Sequence, residues 1–274
     1  MKNGKRILAI IGVVLLVGMY GATLVFAMID SPVAYVMFKV CLYATIAVPV
    51  LIYAMILVYR RLKDKNKEMF GSQIDTVILD VGNVLLDYDW KRYLQTFGFD
   101  EEKNKKIAAA VFENPLWEEA DRGVLSYEEL TEGFVKNCPE LEAEIRRIYE
   151  NLGGTIFPLP YACGWVRELK KKGLNVYILS NYSRKMFEQT KDMMEFLPLA
   201  DGALFSYECH MIKPETEIYE ELIRRYKIRP ERAVFIDDRQ KNVDGAKEAG
   251  LLGLRFTDYR DTNRALERLL CKNS

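Results

Sequence analysis

The sequence predicts an α/β protein in which helices cover both faces of a parallel sheet, preceded by two long apolar helices. Short apolar runs such as 76–79 and 233–236 alternate with helical patterns along the second half of the chain, and such alternation is typical of a parallel sheet. Several runs end on polar residues, which parallel strands bring to one edge of the sheet. Two long stretches that are almost free of charge precede the first run.

The first 67 residues predict a membrane anchor. Residues 7–29 carry no charge and residues 33–59 carry only Lys39, so each stretch is long enough to span a bilayer core. A cleaved signal peptide is the alternative for the first stretch, but its apolar run is too long and a second one follows directly. We predict two transmembrane helices, 7–29 and 33–59, and a basic linker that ends at residue 67.

The distribution of charge predicts the location and excludes one class of partner. Basic residues flank the two apolar stretches, and the turn between them has none, which predicts a two-helix protein of the cell membrane with both termini and the following domain in the cytoplasm. Residues 1–67 hold nine basic and two acidic residues, whereas the rest holds 30 basic and 37 acidic residues. Membrane lipid is therefore an expected partner of the anchor, and nucleic acid is not an expected partner of the acidic domain.

The second predicted domain spans residues 72–274 and opens with a buried strand at 74–80. Amphipathic patterns then predict an insertion of helices over about residues 89–155, in which Ser126 and Glu129 have the spacing of a capping box. The predicted helices of the insertion are 90–97, 101–112, 126–136 and 139–151. Strands are predicted at 174–180, 203–205, 233–236 and 253–256. Helices are predicted at 160–172, 184–194, 240–248 and 260–271, and directly after Pro214.

Polar residues at the ends of strands or in adjoining loops form the candidate site. They are Asp80, the pair Ser180 and Asn181, Lys213, and the pair Asp237 and Asp238. Each has an ordinary structural explanation by itself, as a turn former, a helix cap or a surface residue. Together they supply a nucleophile or ligand, a hydroxyl group, a cation and paired carboxylates, which are the groups needed to hold Mg²⁺ and a phosphate.

In this order, the motifs resemble the haloacid dehalogenase-like (HAD) hydrolase superfamily over residues 74–270. The matching segments are Asp80-Val-Gly-Asn-Val, Val176-Tyr-Ile-Leu-Ser180-Asn181, Met211-Ile-Lys213-Pro214 and Phe235-Ile-Asp237-Asp238-Arg-Gln-Lys-Asn242. The resemblance implies a Rossmann-like HAD fold in which the helical insertion is a mobile cap. Trp117-Glu-Glu-Ala-Asp-Arg122-Gly is similar to a subgroup that includes bacterial glucose-1-phosphate phosphatases.

The resemblance also implies a mechanism and a metal site. Asp80 would attack phosphorus and form an aspartyl-phosphate that water then hydrolyses. Mg²⁺ would be bound by Asp80, the carbonyl group of Gly82 and Asp238. Asp237 would lie at the metal or directly behind it, where Asn242 is the other candidate.

Further residues are implied to bind the substrate. Ser180, Asn181 and Lys213 would hold the phosphate oxygens and stabilise the charge of the transition state. In the cap, Trp117 and Arg122 are expected near the site, and Arg122 would contact a phosphate or hydroxyl group of the substrate.

Gly82 departs from the pattern of most phosphatases in this superfamily. These have a second Asp two residues after the nucleophile, which acts as general acid and base, and such catalysis contributes about 10²- to 10⁴-fold in rate. We hypothesise that Asp87 or Asp89 replaces it, or that the substrate carries a good leaving group such as an anomeric oxygen.

Three functional hypotheses follow. The first is a membrane-anchored, Mg²⁺-dependent phosphatase acting on a small phosphomonoester such as a sugar phosphate. The second, which Gly82 favours, is a regulatory or scaffold protein at the membrane that keeps the fold without turnover. The third is dehalogenation or phosphoryl transfer, although Asp237 and Asp238 favour a metal and thus argue against dehalogenation. The sequence identifies no protein partner.

Overall fold

The computed structural model describes residues 18, 21–69 and 74–271. The chain divides into two compact units, Met1–Glu68 and Met69–Ser274.

The described part of the first unit is helical apart from residues 29–31. Residues 21–28 are helical, and helix α1 spans Pro32–Met69. This helix does not end near the predicted boundary at residue 59, because the following Arg, Leu, Lys, Glu and Met residues are good helix formers. Among the described residues, no helix combines the length and the apolar character needed to cross a membrane. The predicted span 33–59 is therefore not supported, and most of the span 7–29 lies outside the described residues.

Among the described residues of the second unit, seven strands form two sheets. They are β1 Thr76–Leu79, β2 Leu86–Tyr88, β3 Ile156–Pro158, β4 Asn175–Ser180, β5 Gly202–Phe205, β6 Ala233–Asp237 and β7 Leu252–Arg255. The main sheet is parallel throughout and has the order β5-β4-β1-β6-β7. The predicted parallel α/β sheet is thus confirmed. Its first strand lies in the middle, which places the residue after β1 between the ends of two neighbours.

The sheet is buried on both faces. Successive side chains of β1 point to opposite faces, so that Val77 and Leu79 join one core cluster and Ile78 joins another. All three are fully buried. This explains why the strand is a continuous apolar run in the sequence, as is typical of a sheet covered by helices on both sides.

The helices of the insertion follow β2 and end before β3. They are α2 Trp90–Gln95, α3 Glu101–Ile107, α4 Leu116–Arg122, α5 Tyr127–Asn137 and α6 Glu142–Glu150. A π-helical turn, Ala108–Phe112, continues α3. The predicted capping box is present, because Ser126 and Glu129 each accept a hydrogen bond from the backbone N–H of the other. The antiparallel pair of β2 and β3 was not predicted, since runs of three residues show no periodicity.

The remaining helices precede, separate or follow the strands of the main sheet after β1. They are α7 Ala162–Lys171, α8 Arg184–Thr190, α9 Ser206–Cys209, α10 Thr216–Tyr226, α11 Gln240–Glu248 and α12 Tyr259–Cys271. Because β1, β4 and β6 are parallel neighbours in register, their carboxyl ends lie side by side. The candidate site is at this edge.

Candidate active site

Three adjacent strand ends bring the central polar groups together. Asp80 follows β1, Ser180 is the last residue of β4, and Asp237 is the last residue of β6. All three side chains are buried. A buried carboxylate requires hydrogen bonds or an opposite charge to offset its lost hydration, and both are present here.

The carboxyl group of Asp80 is held through one of its oxygens. Its Oδ1 accepts hydrogen bonds from the Ser180 hydroxyl at 2.8 Å and from the Val81 backbone N–H at 2.7 Å, and it lies 2.7 Å from the ammonium group of Lys213. Burial raises the pKa of Asp80 to about 7; Lys213 opposes this shift and Asp237 adds to it. Because these contacts are all made by Oδ1, Oδ2 is the oxygen that would attack an electrophile.

Lys213 is the buried cation of the site. Its ammonium group lies 2.8 Å from Oδ2 of Asp237 and also donates to the carbonyl of Leu179 at 3.1 Å. Burial acts to lower the pKa of Lys213, but Asp237 and Asp80 outweigh it and raise the pKa. Burial likewise acts to raise the pKa of Asp237, and Lys213 outweighs it and lowers the pKa. Both partners are therefore charged at neutral pH.

Asn181 fixes the loop that carries Lys213. Its side-chain carbonyl accepts a hydrogen bond from the backbone N–H of Lys213 at 2.7 Å, and its amide group donates to the Lys213 carbonyl at 3.0 Å. Asn181 thus pairs with both backbone groups of one residue and sets where the cation enters the site.

Asp80, Asp237 and Asp238 offer carboxylate oxygens that all lie within 4.8 Å of one another. Hard oxygen ligands of this kind fit Mg²⁺. Asp238 accepts a hydrogen bond from the side chain of Asn83 at 3.0 Å. The three carboxylates are the candidate metal ligands among the described residues. Asp80, Asp238 and Gly82 line one cavity.

Asp237 differs from the other two carboxylates, because both of its oxygens already accept hydrogen bonds. The donors are Lys213, the backbone N–H of Arg239 and the side-chain amide of Asn242. This placement suits a residue behind the metal better than a ligand. The side-chain oxygen of Asn242 is buried and has no hydrogen-bond partner in the described part of the chain. This oxygen can therefore accept a hydrogen bond from a bound molecule.

Gly82 leaves open space where the usual second Asp would be. A Cβ atom at this position would meet no other atom within 4 Å. The two proposed substitutes lie elsewhere: Asp87 pairs with Phe157 in the two-stranded sheet, and Asp89 caps α2 by accepting from the backbone N–H of Arg92 at 2.9 Å. Neither lines the cavity, so the hypothesis that one of them is the general acid is not supported.

A cavity of about 440 Å³ opens above the carboxylates. Asp80, Lys213 and Asp238 lie on its sheet side. Four aromatic residues of β2 and the insertion also line the cavity, namely Tyr88, Trp90, Phe112 and Trp117, which we call the aromatic wall. Neighbouring rings of the wall are in contact, with centroids 5.1 Å apart for Trp90 and Phe112, 5.2 Å for Phe112 and Trp117, and 6.1 Å for Tyr88 and Trp117.

Arg122 does not line the cavity, in contrast to the prediction. Its guanidinium group forms two hydrogen bonds with the carboxylate of Glu215, at 2.7 and 2.9 Å. The preceding residue, Asp121, lines the cavity instead. It was missed in the sequence, although it follows Trp117 by four residues on a helix and therefore lies on the same face. Arg239, which follows the carboxylate pair, also lines the cavity and was missed.

Comparison with known proteins identifies the family. Residues 74–250 match the profile of the haloacid dehalogenase-like hydrolases. A sesquiterpene phosphatase of Aspergillus oryzae is 26% identical over 193 residues, which are 70% of this chain and 95% of that protein. The bifunctional epoxide hydrolase 2 of Rattus norvegicus is 31% identical over 105 residues, which are 37% of this chain but only 19% of that protein.

Solved structures share the fold. A HAD family enzyme of Bacteroides thetaiotaomicron superimposes with a TM-score of 0.57 at 20% identity, covering 71% of this chain and 99% of that one. A HAD-like hydrolase of Porphyromonas gingivalis gives a TM-score of 0.57 at 22% identity, covering 73% and 98%. The Bacteroides enzyme is also known in complex with magnesium and inorganic phosphate, with a TM-score of 0.55 at 21% identity, covering 69% and 98%. The profile match, together with this fold, shows that the chain belongs to the haloacid dehalogenase-like hydrolases.

Proposed function

We propose that the protein is a Mg²⁺-dependent phosphatase that hydrolyses a phosphomonoester through an aspartyl-phosphate on Asp80. The observation that carries the proposal is the position of the Asp80 carboxylate, which faces a cavity while its other contacts hold it in place. Ser180 and Lys213 are within 2.8 Å of its Oδ1, and further carboxylates for a metal are beside it.

Each residue of the site has a role in this reaction. Asp80 attacks phosphorus through Oδ2 and displaces the alcohol, and water then releases inorganic phosphate and regenerates the carboxylate. Lys213 and Arg239 offset the charge of the phosphate group on the sheet side of the cavity. Ser180 orients the nucleophile, and Asn181 positions Lys213.

Mg²⁺ fits the donor set of this site. Asp80, Asp238 and the carbonyl group of Gly82 would hold it, with Asp237 and Asn242 as supporting groups. When bound, the ion supplies positive charge that reduces the repulsion between a carboxylate and a phosphate dianion.

The aromatic wall supports an apolar leaving group. A phosphate bound at the strand ends directs the rest of its ester toward Trp90, Phe112 and Trp117, which line the same cavity. Burial of an apolar group against these rings is favourable by roughly 25 cal/mol per Å². The similarity to a sesquiterpene phosphatase supports the same substrate class.

A sugar phosphate is the second candidate substrate. Glu113, Asn114 and Glu118 also line the insertion side of the cavity, and their polar groups are suited to hydrogen bonds with hydroxyl groups. The two classes make different demands on the same residues, so a comparison of substrates distinguishes them.

Phosphate release by the purified full chain tests the proposal. The substrates are an isoprenoid monophosphate, glucose 1-phosphate and p-nitrophenyl phosphate, each with Mg²⁺ or with EDTA, and the reference variant is Asp80→Asn. We expect Mg²⁺-dependent release that Asp80→Asn abolishes, with the highest kcat/KM for the isoprenoid ester. A preference for glucose 1-phosphate would support the second candidate. A folded protein that binds Mg²⁺ but releases no phosphate would instead favour a regulatory function.

The location at the cell membrane, with both termini in the cytoplasm, is a separate proposal from the sequence. The basic residues on both sides of the apolar stretches support it, as does the exposure of Val33, Tyr43 and Met55 on α1. Fractionation of cells that express the full chain or residues 69–274 tests it. The proposal requires the full chain in the membrane fraction and the shorter chain outside it.

A further inference from the structure

The proposed reaction needs an acid that the sheet does not supply. An alkoxide leaving group takes up a proton as its bond to phosphorus breaks, and a water molecule loses a proton when it attacks the aspartyl-phosphate. At the position of the usual Asp, Gly82 has no side chain. Asp87 and Asp89 are paired or capping elsewhere.

The helical insertion brings three carboxylates to the cavity, and Asp121 is the least exposed of them, because Glu113 and Glu118 are exposed. It lies in the last turn of α4, four residues after Trp117, and both side chains line the cavity together with Asp80. The nucleophile lies at a strand end and Asp121 on a helix of the insertion, and the charges of Asp80 and Lys213 both act on the Asp121 carboxyl group. The inference requires the leaving oxygen of a phosphate ester held at Asp80 to lie beside Asp121.

The end of α4 is fixed by contacts on both sides of Asp121. The hydroxyl group of Ser206 donates to the Asp121 carbonyl at 2.6 Å. The next residue, Arg122, pairs with Glu215 through two hydrogen bonds. These contacts connect α4 to segments that follow β5, and they hold the Asp121 side chain toward the cavity.

The surroundings of Asp121 favour its protonated form near neutral pH. Burial raises its pKa to about 7, whereas Arg239 and Lys213 act to lower it, and Glu118 and Asp80 add to the increase. Asp121 in turn adds to the effect of burial in raising the pKa of three tyrosines from other elements, namely Tyr88 of β2, Tyr149 of α6 and Tyr182 after β4. A carboxyl group of this kind is suited to give up a proton and take it back.

We propose that Asp121 is the general acid and base of the proposed phosphatase reaction and replaces the carboxylate that Gly82 lacks. Asp80 Oδ2 forms a bond to phosphorus while the bond from phosphorus to the leaving oxygen breaks, and the Asp121 carboxyl group gives its proton to that oxygen. The Asp121 carboxylate then takes a proton from the water that attacks the aspartyl-phosphate. Inorganic phosphate leaves, and both carboxyl groups return to their starting states. The assignment rests on the proposed function.

Dependence on the leaving group tests this role in the full chain with Mg²⁺. A p-nitrophenolate ion can leave without taking up a proton, whereas the alkoxide released from hexyl phosphate needs a proton. In single-turnover measurements, we expect Asp121→Asn to lower the rate of phosphoenzyme formation from hexyl phosphate by about 10²- to 10⁴-fold, with a much smaller loss in the rate of the phosphoenzyme-forming burst from p-nitrophenyl phosphate. Glu119→Gln is the matched control, because Glu119 lies on the same helix, pairs with Arg122 and is not on the cavity.

Two further variants keep the result interpretable. Asp121→Glu retains a carboxyl group and is expected to recover part of the lost rate. Gly82→Asp in the Asp121→Asn background places a carboxylate where open space exists and is expected to restore hydrolysis of hexyl phosphate. Both recoveries exclude a purely structural effect of Asp121→Asn.

The outcomes separate this inference from the proposed function. Equal losses in the rate of phosphoenzyme formation from the two esters, or no loss of that rate for hexyl phosphate, would overturn the role of Asp121 while turnover that depends on Asp80 continued. Absence of turnover in the unmodified chain on both esters would overturn the proposed function and the role of Asp121 with it.

Discussion

Lys213 is the residue on which the electrostatics of the site depend most. It lies between Asp80 and Asp237, and all three side chains are buried. One cation therefore compensates two buried carboxylates that would otherwise have hydrogen-bond partners but no opposite charge. Its positive charge also lies beside Asp80, where a phosphate group would bind.

Replacement of Lys213 is expected to destabilise the fold. Lys213→Met leaves two buried carboxylates unpaired, and removal of one partner from a buried ion pair costs about 3–5 kcal/mol. The measurement is the free energy of unfolding in urea. Lys241→Met is the control, because Lys241 is half exposed and its pair with Glu118 is 3.5 Å long, so that its loss costs about 1 kcal/mol or less. Equal values for the two variants would contradict the assigned role of Lys213.

The raised pKa of Asp121 predicts a dependence of stability on pH. Because the folded protein holds this proton up to a pKa of about 7 and the unfolded chain releases it near the ordinary value of 3.8, the contribution of Asp121 to stability is present below pH 3.8 and lost as the pH rises through 7. Asp121→Asn removes this loss. We expect the stability of the variant relative to the unmodified chain to increase between pH 3.8 and pH 7 and to stay constant above that, measured by urea unfolding. A difference that is constant with pH would show that the Asp121 pKa is not raised.

At the scale of elements, the junction after α4 determines where the insertion meets the rest of the domain. The helix ends at Gly123, whose φ of 71° is left-handed. A Cβ atom at this residue would lie 2.9 Å from the Cα and Cβ atoms of Tyr207, which is too close for any side chain. Glycine is needed here both for its conformation and for the approach of the neighbouring segment.

A pair of glycine variants separates these two requirements. Gly98 also has a left-handed φ, of 67°, but a Cβ atom there would meet nothing within 4 Å. Gly98→Ala is expected to lose about 1 kcal/mol of stability from backbone strain alone. Gly123→Ala is expected to lose more, because the segment of Tyr207 must also move. Thermal or urea unfolding measures both, and similar losses would mean that the close approach contributes little.

At the scale of the whole molecule, the described site belongs to one of the two units. All residues assigned to it lie between Asp80 and Asn242, inside the unit Met69–Ser274. We expect residues 69–274, expressed alone, to keep the kcat/KM of the full chain for p-nitrophenyl phosphate. A large loss in the shorter chain, with its circular dichroism spectrum unchanged, would show that residues before 69 contribute to the reaction.

The sequence predicted those parts of the fold that leave a strong local pattern. The buried strands are apolar runs because both faces of the sheet are covered, and Asp80, Ser180 and Asp237 come together because their strands are adjacent and parallel. The prediction that Arg122 contacts the substrate is not supported, because the preceding residue, Asp121, lines the cavity instead. Consecutive helical residues point about 100° apart, and the tertiary contacts of α4, which no local pattern encodes, decide that Asp121 faces the cavity.

The placement of Asp121 on the insertion has a consequence for the timing of the reaction. An acid on the same strand as the nucleophile stays beside it at all times, whereas Asp121 belongs to a helix of the insertion, whose position depends on its contacts with Ser206 and Glu215. If Asp121 activates the hydrolytic water, any displacement of the insertion lengthens the dwell time of the phosphorylated enzyme. The ion pair of Arg122 with Glu215 holds the end of α4. Its loss would then prolong the lifetime of the acylphosphate.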